Sequence, residues 1–318
     1  MGLRLGLVST ARINGAIIGA ASGLDEVDVV AVASRDAARA EAYAAEHGIA
    51  RAHGDYDALL ADPEVDAVYI SLPNSLHVEW SVRAVEAGKH VLCEKPLARS
   101  AAEAERAFDA AERAGRVLAE AFMYRHHPQT ARVASLVAGG AVGELRGLRA
   151  MFSFPLADEA NVRLRPDLEG GALMDVGCYC VSGMRLLAGE PERVTGEQVR
   201  AASGVDLSFG GVLAFPGGVV GTFLASMALP QRQELVVLGS EGTLAVEAPW
   251  RADWGGDVLL ERGGEVERVP VPEANAYRLQ LEDFAAAAAG ERAPLLGRED
   301  AVGQARAIEA LYAAAETA

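Results

Sequence analysis

Three consecutive residues, Glu94-Lys95-Pro96, put a proton-handling group where a ligand would meet it. They follow a short apolar run, His90-Val91-Leu92-Cys93, that reads as a parallel strand of an α/β sheet. In such sheets ligands bind beyond the carboxyl ends of the strands, so a lysine at this point faces the ligand crevice. Pro96 removes an N–H and fixes its own φ, so the chain turns there and does not prolong the strand. An amine on a rigid element beside a bound cofactor suits hydride transfer, in which the reacting oxygen gains or loses charge.

The elements that must carry this lysine are legible upstream. Through residues 1–122 apolar runs alternate with helical patterns, the grammar of βαβ units. Segments 3–8, 27–33, 67–72, 90–93 and 117–121 read as strands; 13–21, 37–47, 56–61 and 76–87 read as helices. Ser100, with Glu103 three positions on, forms a capping box for a further helix. After Met123 the grammar changes to strand-like runs at 145–154, 193–201, 207–215, 219–227, 234–238, 243–247, 258–262 and 266–271. Short glycine turns such as Pro216-Gly217-Gly218 and Gly263-Gly264 suit antiparallel hairpins. Helices are expected at 129–137, near 171–187, and at 278–289 and 298–315. The fold class is therefore α/β: a doubly wound parallel sheet of Rossmann type in 1–122, then an α+β domain in 123–318 with a large, mostly antiparallel sheet.

The first strand-to-helix turn should bear a phosphate fingerprint, G-x-G-x-x-G. Here it is Ser9-Thr10-Ala11-Arg12-Ile13-Asn14, with every glycine replaced. Serine and alanine are small enough for close backbone approach, the helix start offers free N–H groups, and Arg12 adds a positive charge. An ordinary βα loop could have the same composition. The second strand ends in Ser34-Arg35-Asp36. An acidic tip would bind the ribose 2′-hydroxyl of NAD; Ser34 and Arg35 suit a 2′-phosphate and favour NADP over NAD, although Asp36 is close by.

Bulk properties exclude other classes. A net charge of −16 opposes nucleic acid or an anionic membrane as partner. No apolar stretch reaches the ~18 residues of a membrane span, and no signal-peptide pattern opens the chain. Three cysteines, Cys93, Cys178 and Cys180, are too sparse for a disulfide framework and suit a reducing cytoplasm. Their spacing is not that of a zinc site, so no metal is expected.

With these segments in place, the chain resembles the Gfo/Idh/MocA family (glucose–fructose oxidoreductase, inositol dehydrogenase, rhizopine catabolism) over nearly its whole length. Besides Glu94-Lys95-Pro96, the likeness rests on Ser71-Leu72-Pro73-Asn74-Ser75-Leu76-His77, on Glu120-Ala121-Phe122-Met123-Tyr124-Arg125-His126, on Gly170 to Tyr179, and on Asn161-Val162-Arg163-Leu164. The resemblance implies cofactor contacts from Ser9, Thr10, Ala11, Arg12, Ile13, Ser34, Arg35, Ser71, Leu72, Asn74, His77, Glu94, Lys95 and Arg163. It also implies an open-faced C-terminal sheet through which members form homodimers or homotetramers.

The resemblance further makes Lys95 and Tyr179 the proton-side residues, Tyr179 standing where many relatives have His. A phenol titrates near 10, and a neighbouring ammonium lowers that value. Tyr179 is thus expected as acid in reduction and base in oxidation, with Lys95 assisting; the roles could be exchanged. Asp175, four residues earlier on the same helical face, is expected to orient a sugar hydroxyl or to hold Lys95. Phe154 and Tyr277 look like aromatic walls of the substrate pocket. The function implied is NADP(H)-dependent hydride transfer at a secondary alcohol or carbonyl of a sugar or sugar-like small molecule. Alternatives are a trans-dihydrodiol dehydrogenase, a 1,5-anhydro-fructose reductase, or, in another class, a non-catalytic NADP-binding sensor.

Overall fold

A computed structural model describes residues 2–317 and resolves the chain into two compact units. The first comprises the residues up to Met123 together with Asn275–Val302; the second comprises Tyr124–Ala274 and the residues from Gly303 onward.

In the first unit strands and helices alternate: β1 (Leu3–Val8), α1 (Asn14–Ala21), β2 (Val27–Ala33), α2 (Ala37–His47), β3 (Arg51–His53), α3 (Tyr56–Leu60), β4 (Ala67–Ile70), α4 (His77–Glu86), β5 (His90–Glu94), α5 (Ala101–Ala114) and β6 (Leu118–Ala121). The strands pair in parallel in the order β3-β2-β1-β4-β5-β6, so the order reverses between β1 and β4. That reversal opens the crevice in which doubly wound sheets bind ligands. Side chains of β4 are buried throughout, as expected for a strand covered on both faces. The helices start and stop where local chemistry dictates. Asp36, Asp55 and Ser100 cap α2, α3 and α5 through their side chains, and Gly48 and Gly115 end α2 and α5 in the left-handed conformation.

The second unit contains α6 (Pro128–Ala138), β7 (Leu145–Ser153), a π-helical turn (Leu173–Gly177) running into α7 (Cys178–Ala188), and then β8 (Arg193–Arg200), β9 (Asp206–Phe215), β10 (Val219–Ser226), β11 (Arg232–Gly239), β12 (Gly242–Val246), β13 (Val258–Arg262) and β14 (Glu265–Arg268). These strands form one sheet in the order β14-β13-β12-β11-β7-β10-β9-β8. Only β7 and β10 pair in parallel; every other neighbour is antiparallel. The π-turn and α7 cover one face. The other face presents Val199, Val212, Val220, Leu224 and Leu238 to solvent.

Two later helices complete the chain, α8 (Ala276–Ala288) and α9 (Arg298–Glu316). Leu281 and Phe284 of α8 are buried in the Rossmann core with Leu5, Ile17 and Tyr69. The segment 275–302, grouped by the sequence reading with the second domain, thus packs with the first. Strand β3, which no apolar run marks in the sequence, is a short edge strand, and His53 Nε2 stands 3.0 Å from Asp62 Oδ2.

Candidate active site

The turn after β1 replaces glycine chemistry with a side-chain network. Ser9 holds φ at +127°, a region that L side chains rarely adopt. Its Oγ accepts the Ala11 N–H at 3.0 Å and lies 2.7 Å from Ser71 Oγ, on the loop after β4. Asn14, at the third glycine position, is fully buried. Its amide donates to Ser9 O at 2.8 Å, and its Oδ1 accepts from Ser71 Oγ at 2.6 Å. The Ser71 proton is therefore committed to Asn14, and the Ser9 hydroxyl donates to Ser71. These bonds join the two strand ends that flank the reversal of strand order. Thr10, Ala11 and Ile13 are half-buried, and Arg12 is exposed. Helix α1 starts without a side-chain cap and without an acidic residue in its first turn, so its positive end stays free of an internal anion. Asn14 was visible in the sequence only as a lost glycine; the structure makes it the centre of the turn.

At the tip of β2, Ser34 is buried; its N–H donates to His53 O and its Oγ accepts the Asp36 N–H. Arg35 is exposed and makes no ion pair among the described residues. The Asp36 carboxylate accepts the Arg39 N–H at 3.2 Å as the cap of α2. A carboxylate held on a helix N-terminus does not compete for Arg35.

Lys95 follows β5 in a turn gripped from three sides. Tyr69 of β4 donates its hydroxyl to Glu94 Oε1, and Glu94 Oε2 accepts the Lys95 N–H at 3.3 Å. His77 lies between the loops after β4 and β5, with Nδ1 at 2.8 Å from Pro96 O and Nε2 at 2.8 Å from Leu72 O. Glu120 of β6 accepts the Leu97 N–H at 2.7 Å. The Lys95-Pro96 peptide is cis, and Lys95 itself is half-buried. Both ring nitrogens of His77 face protein carbonyls, so the ring ties together the loops that carry Leu72 and Lys95. Burial, aided by the Lys95 charge, holds the His77 pKa below its ordinary value despite the two carbonyls. Asn74 starts a short 3₁₀ turn beside it. Cys93 is buried and its thiol is pushed well up, which makes it inert. Glu120 enters the sequence reading only as part of a family-like segment, although an acidic residue inside the run Leu118-Ala119-Glu120-Ala121 is itself a signal.

In the second unit Gly170 and Gly171 lie on the backbone of the arginine loop. The N–H of Gly171 donates to Arg163 O at 2.9 Å, and a Cβ at Gly170 would stand 2.2 Å from that same oxygen. Neither position tolerates a side chain, and Gly171 also holds φ at +126°. The approach delivers Arg163 to Asp175: Nε donates to Oδ2 at 2.6 Å, and the guanidinium lies 5.8 Å from the centre of the Phe154 ring. Asn161 supports the loop by accepting the Arg163 N–H. The structure thus unites Arg163, Asp175 and Phe154. Asp175 is held by Arg163, and its side chain is mostly covered. Tyr179, on the first turn of α7, is largely buried among Phe152, Tyr124 and Trp250, with ring centres 5.5, 5.7 and 6.3 Å away. Those three aromatics were not foreseen as a group. Tyr277 stands on the first turn of α8 and packs against the Rossmann core. His127 caps α6 by accepting the Gln129 N–H. Among the described residues no group of three His, Cys, Asp or Glu side chains is placed to hold a metal ion.

Comparison with known proteins identifies the family and the fold. Residues 4–122 match the oxidoreductase family with NAD-binding Rossmann fold, and residues 130–245 match the GFO/IDH/MocA C-terminal domain. A D-xylose 1-dehydrogenase (NADP(+)) of Haloferax volcanii is 41% identical, the alignment covering 99% of this chain and 98% of that protein. A trans-1,2-dihydrobenzene-1,2-diol dehydrogenase of Danio rerio is 33% identical over 86% of this chain and 81% of its own. The crystal structure of KijD10, a 3-ketoreductase from Actinomadura kijaniata in complex with NADP and TDP-benzene, superposes with a TM-score of 0.93 at 32% identity, covering 99% of this chain and 98% of that one. A parallel nucleotide-binding sheet, a lysine turn at its edge and an eight-stranded second sheet converge on one assignment: the chain belongs to the Gfo/Idh/MocA family of oxidoreductases.

Proposed function

We propose that this oxidoreductase moves a hydride between NADP(H) and a secondary alcohol or carbonyl of a sugar-like substrate. The observation that carries the reading is Lys95, fixed at the tip of β5 by Glu94, His77 and the Leu97–Glu120 bond in a sheet of Rossmann order.

The residues present fit the dinucleotide. The uncapped, acid-free start of α1 suits a pyrophosphate, with Ser9 and Ala11 shaping the turn and Arg12 adding charge. Arg35, exposed and without an ion pair among the described residues, suits a 2′-phosphate, and Ser34 orders its strand end. Ser71, Leu72 and Asn74 would line the cofactor from the loop after β4. When bound, the cofactor supplies or accepts a hydride at C4 of its nicotinamide. Lys95 hydrogen-bonds the substrate oxygen as its charge changes. Tyr179 gives a proton in reduction and takes one in oxidation; its aromatic surroundings limit access by water. Asp175, oriented by Arg163, binds substrate hydroxyls, and Phe154 offers a face to the apolar side of a ring. The ring-lined surroundings of Tyr179 also favour a second substrate class, trans-dihydrodiols. The open sheet face is assigned to a second copy of the chain, giving a homodimer or homotetramer. Three free, buried cysteines accord with a cytoplasmic protein.

The test is a fluorescence titration with NADPH and NADH, followed by a turnover screen of aldoses and diols for the native protein and Lys95→Ala. NADPH binding retained with turnover cut heavily in the variant is the expected result. Equal turnover in both proteins removes the catalytic assignment, and no turnover on any substrate favours a sensor.

A further inference from the structure

The motif that carries Asp175 and Tyr179 is held from outside by residues far away in sequence. Asp206, the first residue of β9, is buried. One carboxyl oxygen accepts the N–H of Leu173, the first residue of the π-helical turn, at 2.6 Å; the other accepts the hydroxyl of Tyr312 in α9 at 2.9 Å. The fit is close, since a Cβ on Gly171 would lie 2.1 Å from Asp206 Oδ1 and 3.2 Å from the Tyr312 hydroxyl. The Asp175 N–H in turn bonds Gly171 O at 3.0 Å, so this anchor lies at the base of the turn that bears Asp175.

The other end is held by the same helix. Gln304 donates its amide to the carbonyl of Cys178 at 2.8 Å, and it is 1% exposed. Its orientation is fixed, because its carbonyl accepts from Arg185 at 3.1 Å, leaving the NH₂ to face Cys178. The Cys178 carbonyl and the Tyr179 N–H belong to one planar peptide unit, so this bond sets the plane from which Tyr179 projects. Gln304, Ile308 and Tyr312 recur every four residues and are all buried, one stripe along α9. A π-turn lacks the regular i→i−4 ladder and gains from such outside support.

We infer that Gln304 and Tyr312 of α9, the latter through Asp206, are positioning residues for Asp175 and Tyr179. They touch no reacting atom; they hold both ends of the segment 171–179 so that its carboxylate and phenol keep one geometry. The inference rests on the proposed roles of Asp175 and Tyr179, but the clamp itself can be measured without catalysis.

The experiment compares Tyr312→Phe and Gln304→Met with Arg306→Ala, an exposed position on the same helix. Hydrogen exchange of the peptide spanning 171–179, read by mass spectrometry without added cofactor, should quicken in the first two variants and not in the third. In the same two variants kcat should fall by about tenfold, as expected for slight misplacement of reacting groups, while KM and the NADPH titration stay within about twofold. The inference is overturned if exchange is unchanged, if it quickens without loss of kcat, or if KM, cofactor binding and melting temperature shift together. Tyr179→Phe, run in parallel, separates the two ideas: full activity there removes the assumed role of the tyrosine, while the exchange data still decide whether the clamp exists.

Discussion

Ser9 Oγ stands 2.7 Å from Ser71 Oγ, so the ends of β1 and β4 are hydrogen-bonded where the strand order of the Rossmann sheet reverses. The bond coexists with a φ of +127° at Ser9, a cost of roughly 1–3 kcal/mol for a residue with a Cβ. Ser9→Gly removes that cost together with the hydroxyl; Ser9→Ala keeps the cost and loses the bonds to Ser71 and the Ala11 N–H. Urea denaturation should therefore show Ser9→Ala destabilised by about 1–3 kcal/mol and Ser9→Gly by clearly less. Equal losses would mean that the backbone at Ser9 is not under strain.

Arg35 should choose between the two dinucleotides. Its guanidinium is exposed, and the nearby carboxylate of Asp36 is engaged as the cap of α2. Arg35→Ala is expected to weaken NADPH by about tenfold or more, the scale of one charge-assisted contact, and NADH by little. Fluorescence titration of both cofactors measures the ratio; parallel losses would place the 2′-phosphate elsewhere.

Much of this was readable from residue order, and the exceptions have physical causes. Long buried strands announce themselves as apolar runs, and β1, β2, β7 and β9 fall within about two residues of their expected places. Strand β3 escaped because Arg51-Ala52-His53 is short, polar and largely exposed, so no periodicity marks it. Helix α8 was grouped by chain order, yet its apolar residues Leu281 and Phe284 serve the Rossmann core, a choice that only packing reveals. Lys95 was evident because a strand tip and a proline frame it. Asp206 and Tyr312 were not, since they lie 106 residues apart and neither belongs to a local motif.

His77 predicts a pH dependence with a definite sign. Its folded pKa lies below the unfolded value of about 6.5, because burial disfavours the charged ring. Below that value the unfolded chain binds a proton that the folded protein refuses, so this contribution is complete above about pH 6.5 and is lost as pH falls through the window between the unfolded and folded values. His90 and His127 are depressed in the same direction by burial and add to the trend. His77→Asn should lower stability at pH 7.5 and shallow its decline toward pH 5. A variant whose stability curve runs parallel to the native one would show that His77 does not titrate in that range.

Arg163 and Asp175 should behave as one unit. With 2.6 Å between Nε and Oδ2 and the carboxylate mostly covered, removing either partner leaves the other misplaced. Arg163→Met and Asp175→Asn are each expected to cut kcat/KM by about tenfold or more, and the double variant by much less than the product. The coupling energy from the cycle should fall within about 0.5–3 kcal/mol, the range for side chains in direct contact. Full additivity would mean that the pair does not act together on substrate.

The uncovered sheet face yields a prediction independent of chemistry. Val212, Val220 and Leu224 project from the neighbouring strands β9 and β10, and Leu238 projects from β11 on the far side of β7; each is at least 37% exposed, and the register brings Thr222 of β10 opposite Val212 of β9. An apolar patch shared by adjacent strands is unfavourable in water and marks an interaction surface. In the homo-oligomer proposed above, this face is covered by the same face of a second copy. Leu224→Arg puts a charge on this face without touching the helix side, where Phe223 and Ala225 are buried. Light scattering should find the native protein as a dimer or tetramer and the variant shifted toward monomer, with the melting temperature falling as the apolar face is uncovered. A native protein that is monomeric at micromolar concentration would leave this face without its assigned partner.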